Sequence, residues 1–482
     1  MLKLLLVRPL LRLEKAGKDA LPPPLGILSL AAYIRSKAPG LAETRIIDEN
    51  IKAMNGNAWS SLLEDFRPDV VGISAMSLEL GRVKFLVRLL KTWNAGLPIV
   101  LGGPLASSRT KDILGETGAD AAVTGEGEKA FLELLEVLSN ERLPVNAAIP
   151  GVVTVTDPPD KEPGVPELLQ DLDELPFPAF DLVDLDPYWR NPRLTPVSKS
   201  RRYLPLFTSR GCPYRCSYCH NIFGKRFRAM SPDRVVEEIQ YLHQRYGVDE
   251  FEIFDDIFNL DRDRVMSICS GIRKKGLKTR FSFPNGLRGD KLDREIITEL
   301  SSVGTYHIAF AIETATPRLQ KMINKNIDLD RIRMNISTAH KLGIFTWGFF
   351  MLGFPTETRR EVLDTIRFAR SLDLHGAFFF MVIPFEGTRL FEESMVKAGQ
   401  PEHNYNYFYA ERSASEKISA HELERLQTMA YMSFYLKPQR LLRLALDFPG
   451  KKTELAADAA KLFYYSGIER YFTNPLRKFF SA

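Results

Sequence analysis

The chain has 482 residues, 45% hydrophobic and 26% charged, with a net charge of +5 at pH 7. These ordinary globular values exclude disorder and a membrane-spanning class, and the length suits two or three domains. Four cysteines, three of them within eight positions, exclude a disulfide framework and point to a reducing, cytoplasmic setting.

The opening MLKLLLVRPLLRL is broken by Arg8 and Pro9 and lacks a small-residue cleavage site, so it reads as a first strand and not as a signal peptide. Residues 1–145 then alternate short apolar runs with helical patterns. Strands are expected at Leu2–Val7, Thr44–Asp48, Val70–Ser74, Ile99–Gly102 and Ala121–Thr124, with helices near 25–37, 80–94 and 127–139. Continuous Val/Ile/Leu runs are what a parallel sheet buried on both faces requires. The predicted fold is α/β: a doubly wound, Rossmann-like domain whose ligand edge is the set of turns beyond the strand carboxyl ends. Those turns hold Pro9, Ser74, Gly102, Gly103, Gly125, Glu126 and Gly127.

Residues 146–200 form a connector, with nine prolines between 156 and 200 and the acidic run DLDELPFPAFDLVDLD. Phe177, Phe180, Tyr188 and Trp189 mark it as a connector that packs against something. A second β/α series fills 201–400, with strands expected at Leu204–Ser209, Glu250–Asp255, Arg280–Phe283, His307–Glu313, Phe345–Leu352 and Ala377–Ile383. Six such strands suit a partial (β/α)6 barrel, whose chemistry belongs at the strand carboxyl ends. Residues 401–482 read as a helical, basic and aromatic-rich region. From Tyr431 onward nine Lys/Arg stand against four Asp/Glu, as large an excess as that of the whole chain.

The segment LPLFTSRGCPYRCSYCH places Cys212, Cys216 and Cys219 as CxxxCxxC directly after a strand. Three thiolates this close can hold three corners of an iron–sulfur cubane and leave the fourth iron open. Zinc with His220 as fourth ligand is the alternative, though an adjacent ligand is sterically awkward. Three buried core thiols are the remaining alternative. Cys269, in a helical segment, reads as a core residue.

CxxxCxxC with Tyr218 before the last cysteine resembles the radical S-adenosylmethionine (SAM) superfamily. The resemblance extends along the whole barrel half. It implies a [4Fe–4S] cluster at the three cysteines and SAM contacts at Tyr218, at Asp255 and Asp256 ending the second strand, and at Asn285 and Arg288 in FPNGLRGD. Glu313 in AFAIETATP, Gly353 in GFFMLGFPTET and Pro384 in MVIPFEGTRL complete that set.

PPPLGILSLAAYI (22–34), GGP (102–104) and GEGE (125–128) resemble the cobalamin-binding domain of B12-dependent radical SAM enzymes. All seven histidines lie at or after position 220 and DxHxxG is absent, so cobalamin would bind base-off without a histidine ligand. A structural or phosphate-type α/β domain is the alternative.

The resemblance implies a methyltransferase that moves a methyl group from methylcobalamin to an unactivated carbon, through a substrate radical made by a 5′-deoxyadenosyl radical. A non-methylating reaction, oxidative cyclisation or lipid modification, is the runner-up. It also implies a small-molecule or lipid substrate and a low-potential donor such as flavodoxin or ferredoxin. A non-catalytic cobalamin carrier conflicts with the complete cysteine triad. A nucleic-acid partner is not expected, since the charge is small and no binding module is evident. Tyr306, His307 and Phe379 are candidates to meet substrate. FYLKPQRLLRLALDFP and GIERYFTNPLRKFF have the composition of a peripheral contact with the inner membrane face, or of a helix face packed over the barrel.

Overall fold

The computed structural model describes residues 1–11, 22–140, 148–158, 164–191, 197–220, 222–398 and 414–450, with Arg193 and Thr195. The chain divides into two compact units, Met1–Arg193 with Asn221–Met230, and Leu194–His220 with Ser231–Ala482.

The first unit carries a six-stranded sheet. Its parallel strands are β1 (Leu2–Arg8), β2 (Ala42–Asp48), β3 (Val70–Ser74), β4 (Ile99–Gly102) and β5 (Ala121–Val123), and β6 (Val152–Thr154) pairs antiparallel to β5. The order is β2-β1-β3-β4-β5-β6, so the winding reverses between β1 and β3. In a doubly wound sheet the crevice at that reversal is where a ligand binds. Leu5, Val7, Val71, Ile73, Ile99 and Leu101 meet Trp59, Leu63, Leu86 and Leu90 in one buried cluster.

Helices Leu25–Lys37, Leu80–Trp93 and Glu128–Leu138 fall where the periodicity places them. Gly56–Phe66, Gly103–Ser108 and Thr110–Thr117 are additions to the sequence reading. The first of these buries Trp59, Leu63 and Phe66 along one face and is bounded by its caps: Asn55 Oδ1 accepts the Ala58 N–H at 2.9 Å, and Arg67 turns left-handed at φ 48°. Up to Arg193, the proline-rich stretch is grouped with this unit. The apolar residues between its prolines explain why: Leu169, Leu172, Phe180 and Tyr188 are buried, and the Tyr188 hydroxyl donates to Asp48 Oδ2 at 2.8 Å.

The second unit carries a parallel sheet of β7 (Tyr203–Leu206), β8 (Glu250–Ile253), β9 (Arg280–Leu287), β10 (Thr305–Glu313), β11 (Phe345–Leu352) and β12 (Gly376–Met381), hydrogen-bonded in consecutive order. Helices join the strands, and most open on a side-chain cap. Ser231, Asp261, Asp293, Asp328 and Thr358 each accept backbone N–H groups of the first turn. Helix Ala420–Tyr435 covers the outer face, where Tyr431 and Phe434 meet Phe379 ring to ring.

The first of the two basic segments considered for membrane contact, 434–449, includes helix Pro438–Asp447 with Lys437 at its N-cap. Its cations turn toward the protein. Arg440 donates to the carbonyls of Arg370, Leu372 and Leu374, Lys437 to that of Arg370, and Arg443 to Asp373. The second segment, GIERYFTNPLRKFF, lies outside the described residues. Among the described residues no helix is long and apolar enough to cross a membrane.

Candidate active site

The cysteine loop leaves β7 and is stitched down by backbone hydrogen bonds. Ser217 N–H donates to Ile323 O at 3.0 Å, Leu390 N–H to Ser217 O at 2.8 Å, and Cys219 N–H to Cys216 O at 3.2 Å. Asn324 Nδ2 holds Arg215 O at 3.0 Å. So fixed, the loop keeps Cys212 and Cys216 half-buried and Cys219 exposed. Cys269 is buried, its thiol pushed up to about 12 by desolvation, and it stays a core residue. The three loop thiols are an all-sulfur donor set of the kind a cluster takes.

The two carboxylates at the end of β8 part company. Asp255 is 4% exposed, and its oxygens accept Thr208 N–H and Oγ1–H at 2.6 Å and Ser209 Oγ–H at 2.5 Å. Burial raises its pKa against the pull of Arg264 and these donors. Its contacts therefore serve the chain between β7 and the cysteine loop, not an open site. Asp256 accepts the Gly211 N–H at 3.1 Å and lies 3.9 Å from His220 Nε2, so it steadies the loop directly.

Glu313 ends β10 at φ 67°, where the pairing with β11 slips by a bulge. A non-glycine residue in that region is uncommon and clusters at functional sites. The conformation aims its carboxylate at two partners: Tyr218 donates to Oε1 at 3.1 Å and Lys325 Nζ at 2.7 Å. Lys325 also donates to the Tyr218 hydroxyl at 3.1 Å. Beside this triad, Arg288 lies 3.6 Å from the Tyr214 ring centroid, donates to Lys325 O at 2.8 Å and pairs with Asp290 at 3.0 Å. Asn285, exposed on β9, donates to Phe254 O at 2.9 Å.

Gly353 ends β11 at φ 93°, and a Cβ there would stand 2.5 Å from Leu423 Cδ2. Its N–H and that of Phe354 donate to Glu357 Oε2 at 2.6 and 3.1 Å. Glu357 is fully buried, which raises its pKa to about 7. Pro384 is half-buried in the turn after β12. Lys325, Tyr214, Asp290 and Glu357 were missed by the sequence reading. Their only signals were the Asn residues flanking Lys325, both left-handed here, and the acid in PTET. Of the residues considered for substrate, Tyr306 donates to Glu250, Phe379 faces helix Ala420–Tyr435, and His307 is buried against Ser282 at 2.9 Å. Burial lowers the His307 pKa to about 3.

In the first unit the strand ends form a separate edge. Gly102 has open space where a side chain would be, while at Gly103, φ 79°, a Cβ would stand 2.9 Å from Ser74 Oγ and 3.0 Å from Ala75 O. Gly125, at φ 66°, faces Pro166, and Gly127 precedes the helix Glu128–Leu138. Pro9 is buried and its carbonyl accepts Asn50 Nδ2 at 2.8 Å. Glu126 is not open to a ligand: it is 4% exposed and paired with Arg228. The edge carries no histidine, and at Gly102 the backbone is open to close approach.

The radical SAM superfamily matches residues 206–369 and the B12 binding domain residues 17–135. Over 452 residues, 92% of this chain and 94% of the relative, the sequence is 31% identical to an uncharacterized methyltransferase, PH0819, of Pyrococcus horikoshii. The chain belongs to the B12-binding radical SAM enzymes. Its family cofactors are a [4Fe–4S] cluster, SAM and cobalamin. It is also 28% identical over 362 residues to the cytidylyl-2-hydroxyethylphosphonate methyltransferase of Streptomyces wedmorensis, covering 69% of this chain and 67% of that one. The fold of this B12-binding radical SAM enzyme is similar to the radical SAM methyltransferase TsrM of Kitasatospora setae, solved with cobalamin and a [4Fe–4S] cluster. That match has a TM-score of 0.66 at 19% identity and covers 84% of this chain and 81% of that one.

Proposed function

We propose that this enzyme methylates an unactivated carbon of a small molecule, with Cys212, Cys216 and Cys219 holding the cluster. The observation that carries the reading is the pairing, in one chain, of a pinned all-cysteine loop beside the Glu313–Lys325–Tyr218 triad with a histidine-free, glycine-lined α/β edge. When bound, the cofactor set supplies radical hydrogen abstraction and a methyl carrier.

The chain's own residues supply placement. Asp256 and Asn324 hold the cysteine loop, and Asp255 anchors the strand end before it. Glu313, fixed by its bulge and by Lys325, offers a carboxylate to the hydroxyl or ammonium groups of SAM. Lys325, Asn285 and Arg288 supply donors around it, with Arg288 kept rigid by Asp290 and Tyr214. Gly353 and Pro384 shape the strand-end turns on the far side. Pro9, Ser74, Gly102, Gly103, Gly125 and Gly127 line the cobalamin edge, and Glu126 supports it from within. The electron comes from a low-potential donor such as flavodoxin or ferredoxin, in a reducing cytoplasmic setting.

Incubating the reconstituted enzyme anaerobically with deuteromethyl-SAM, cobalamin, reductant and a small-molecule extract tests the reading. Label carried into an extract molecule, with 5′-deoxyadenosine formed, supports it. Formation of 5′-deoxyadenosine with no label transfer would replace it with a non-methylating radical reaction.

A further inference from the structure

The turn after β3 carries a carboxyl group that nothing above uses. Glu79 closes a short turn at Ser77–Glu79, is 2% exposed, and accepts the Met76 N–H on Oε2 at 2.7 Å. Oε1 is buried and has no hydrogen-bond partner. A buried polar atom left unpaired costs about 1–3 kcal/mol, so a fold retains one where something else completes it. The position is telling: β1 and β3 are the strands between which the sheet reverses, and Glu79 stands on the turn that flanks that crevice.

The charges around Glu79 decide its chemical form. Arg8, at the end of β1, attracts it, but Arg8 already donates to Pro22 O at 2.8 Å and lies 3.4 Å from Asp48. Glu49 and Asp48, at the end of β2, repel it. Arg82, on the helix that follows Glu79, is spent on both oxygens of Glu49. With no cation committed to it, burial raises the Glu79 pKa to about 7.

We propose that Glu79 acts as a neutral carboxylic acid that keeps its proton on Oε1 and donates it to a side-chain amide oxygen of the corrin. Cobalamin's rim carries neutral acetamides and propionamides, whose carbonyls are acceptors. Oε2 continues to accept the Met76 N–H, so both oxygens are satisfied at once. The inference rests on this domain being the one that binds cobalamin.

The test is binding of methylcobalamin to the full-length protein, followed by retention after filtration and by its visible spectrum. It compares pH 6.0 with pH 8.5 for wild type, Glu79→Gln and Glu79→Leu, with a thermal melt of each cofactor-free protein. Wild type should bind about 30-fold more weakly at pH 8.5, the cost of reprotonating a group that titrates near 7. Glu79→Gln keeps a donor, so it should bind within a few fold of wild type at pH 6.0 and without that pH dependence. Glu79→Leu should lose about tenfold or more at pH 6.0. Wild-type affinity that is flat between the two pH values, or a well-folded Glu79→Leu that binds like wild type, would overturn the role of Glu79. Wild type that retains no cobalamin at either pH would instead overturn the cofactor reading beneath it.

Discussion

Arg228 and Glu126, 102 positions apart, form an ion pair whose side chains are 2% and 1% exposed, both within the first unit. The pair is embedded in backbone: Arg228 also donates to Leu169 O at 2.6 Å and Phe223 O at 2.9 Å, and Glu126 accepts the Leu169 N–H at 3.3 Å. The segment that follows the cysteine motif is thereby tied to the turn after β5. Removing one partner leaves the other charge buried and uncompensated, which costs about 3–5 kcal/mol. Glu126→Ala should lower stability by that amount in chemical denaturation. A loss under about 1 kcal/mol would mean the site readily admits water and the pair is no anchor.

Asp255 and Asp256 separate by function despite being neighbours. Because Asp255 is spent on Thr208 and Ser209, Asp255→Ala should disturb the approach to the cysteine loop and lower the iron retained after reconstitution. Full iron content with weakened SAM binding would return Asp255 to the cofactor-contacting role its motif implies.

Glu357 gives a pH signature. Its folded pKa, about 7, lies above the ordinary 4.5, so the native state holds the extra proton between those values. The stabilisation is present below about pH 4.5 and is lost as pH rises through about 7. Wild type should therefore lose on the order of 2 kcal/mol more than Glu357→Gln between pH 5 and 8 in urea titrations. Parallel pH profiles for the two proteins would show that the buried carboxylate is already compensated.

The strands were legible because parallel strands buried on both faces read as unbroken apolar runs. The antiparallel β6 was not, since three residues carry no period of their own. The same holds inside the site. A cysteine triad is a pattern in sequence, whereas in the Lys325–Glu313–Tyr218 triad a bulge in β10 brings Glu313 to Lys325, 12 positions on, and to Tyr218, 95 positions back. At 437–443 composition left a membrane face and a packed helix both open, and Lys437, Arg440 and Arg443 follow the packed reading. Each is spent on carbonyls or on Asp373, and burial lowers the Arg440 pKa to about 10.

The central claim is that the cysteine loop carries a SAM-cleaving cluster in a chain that also retains cobalamin. The most direct measurement is anaerobic reconstitution of wild type and Cys216→Ala with iron, sulfide and cobalamin. Iron content, retained cobalamin, the electron paramagnetic resonance spectrum with and without SAM, and 5′-deoxyadenosine would be recorded on each. About four irons per wild-type chain, a cluster signal that changes when SAM is added, and 5′-deoxyadenosine are expected, all lost in Cys216→Ala while cobalamin is still retained. One tightly held zinc per chain, or a cluster whose spectrum ignores SAM, would contradict it.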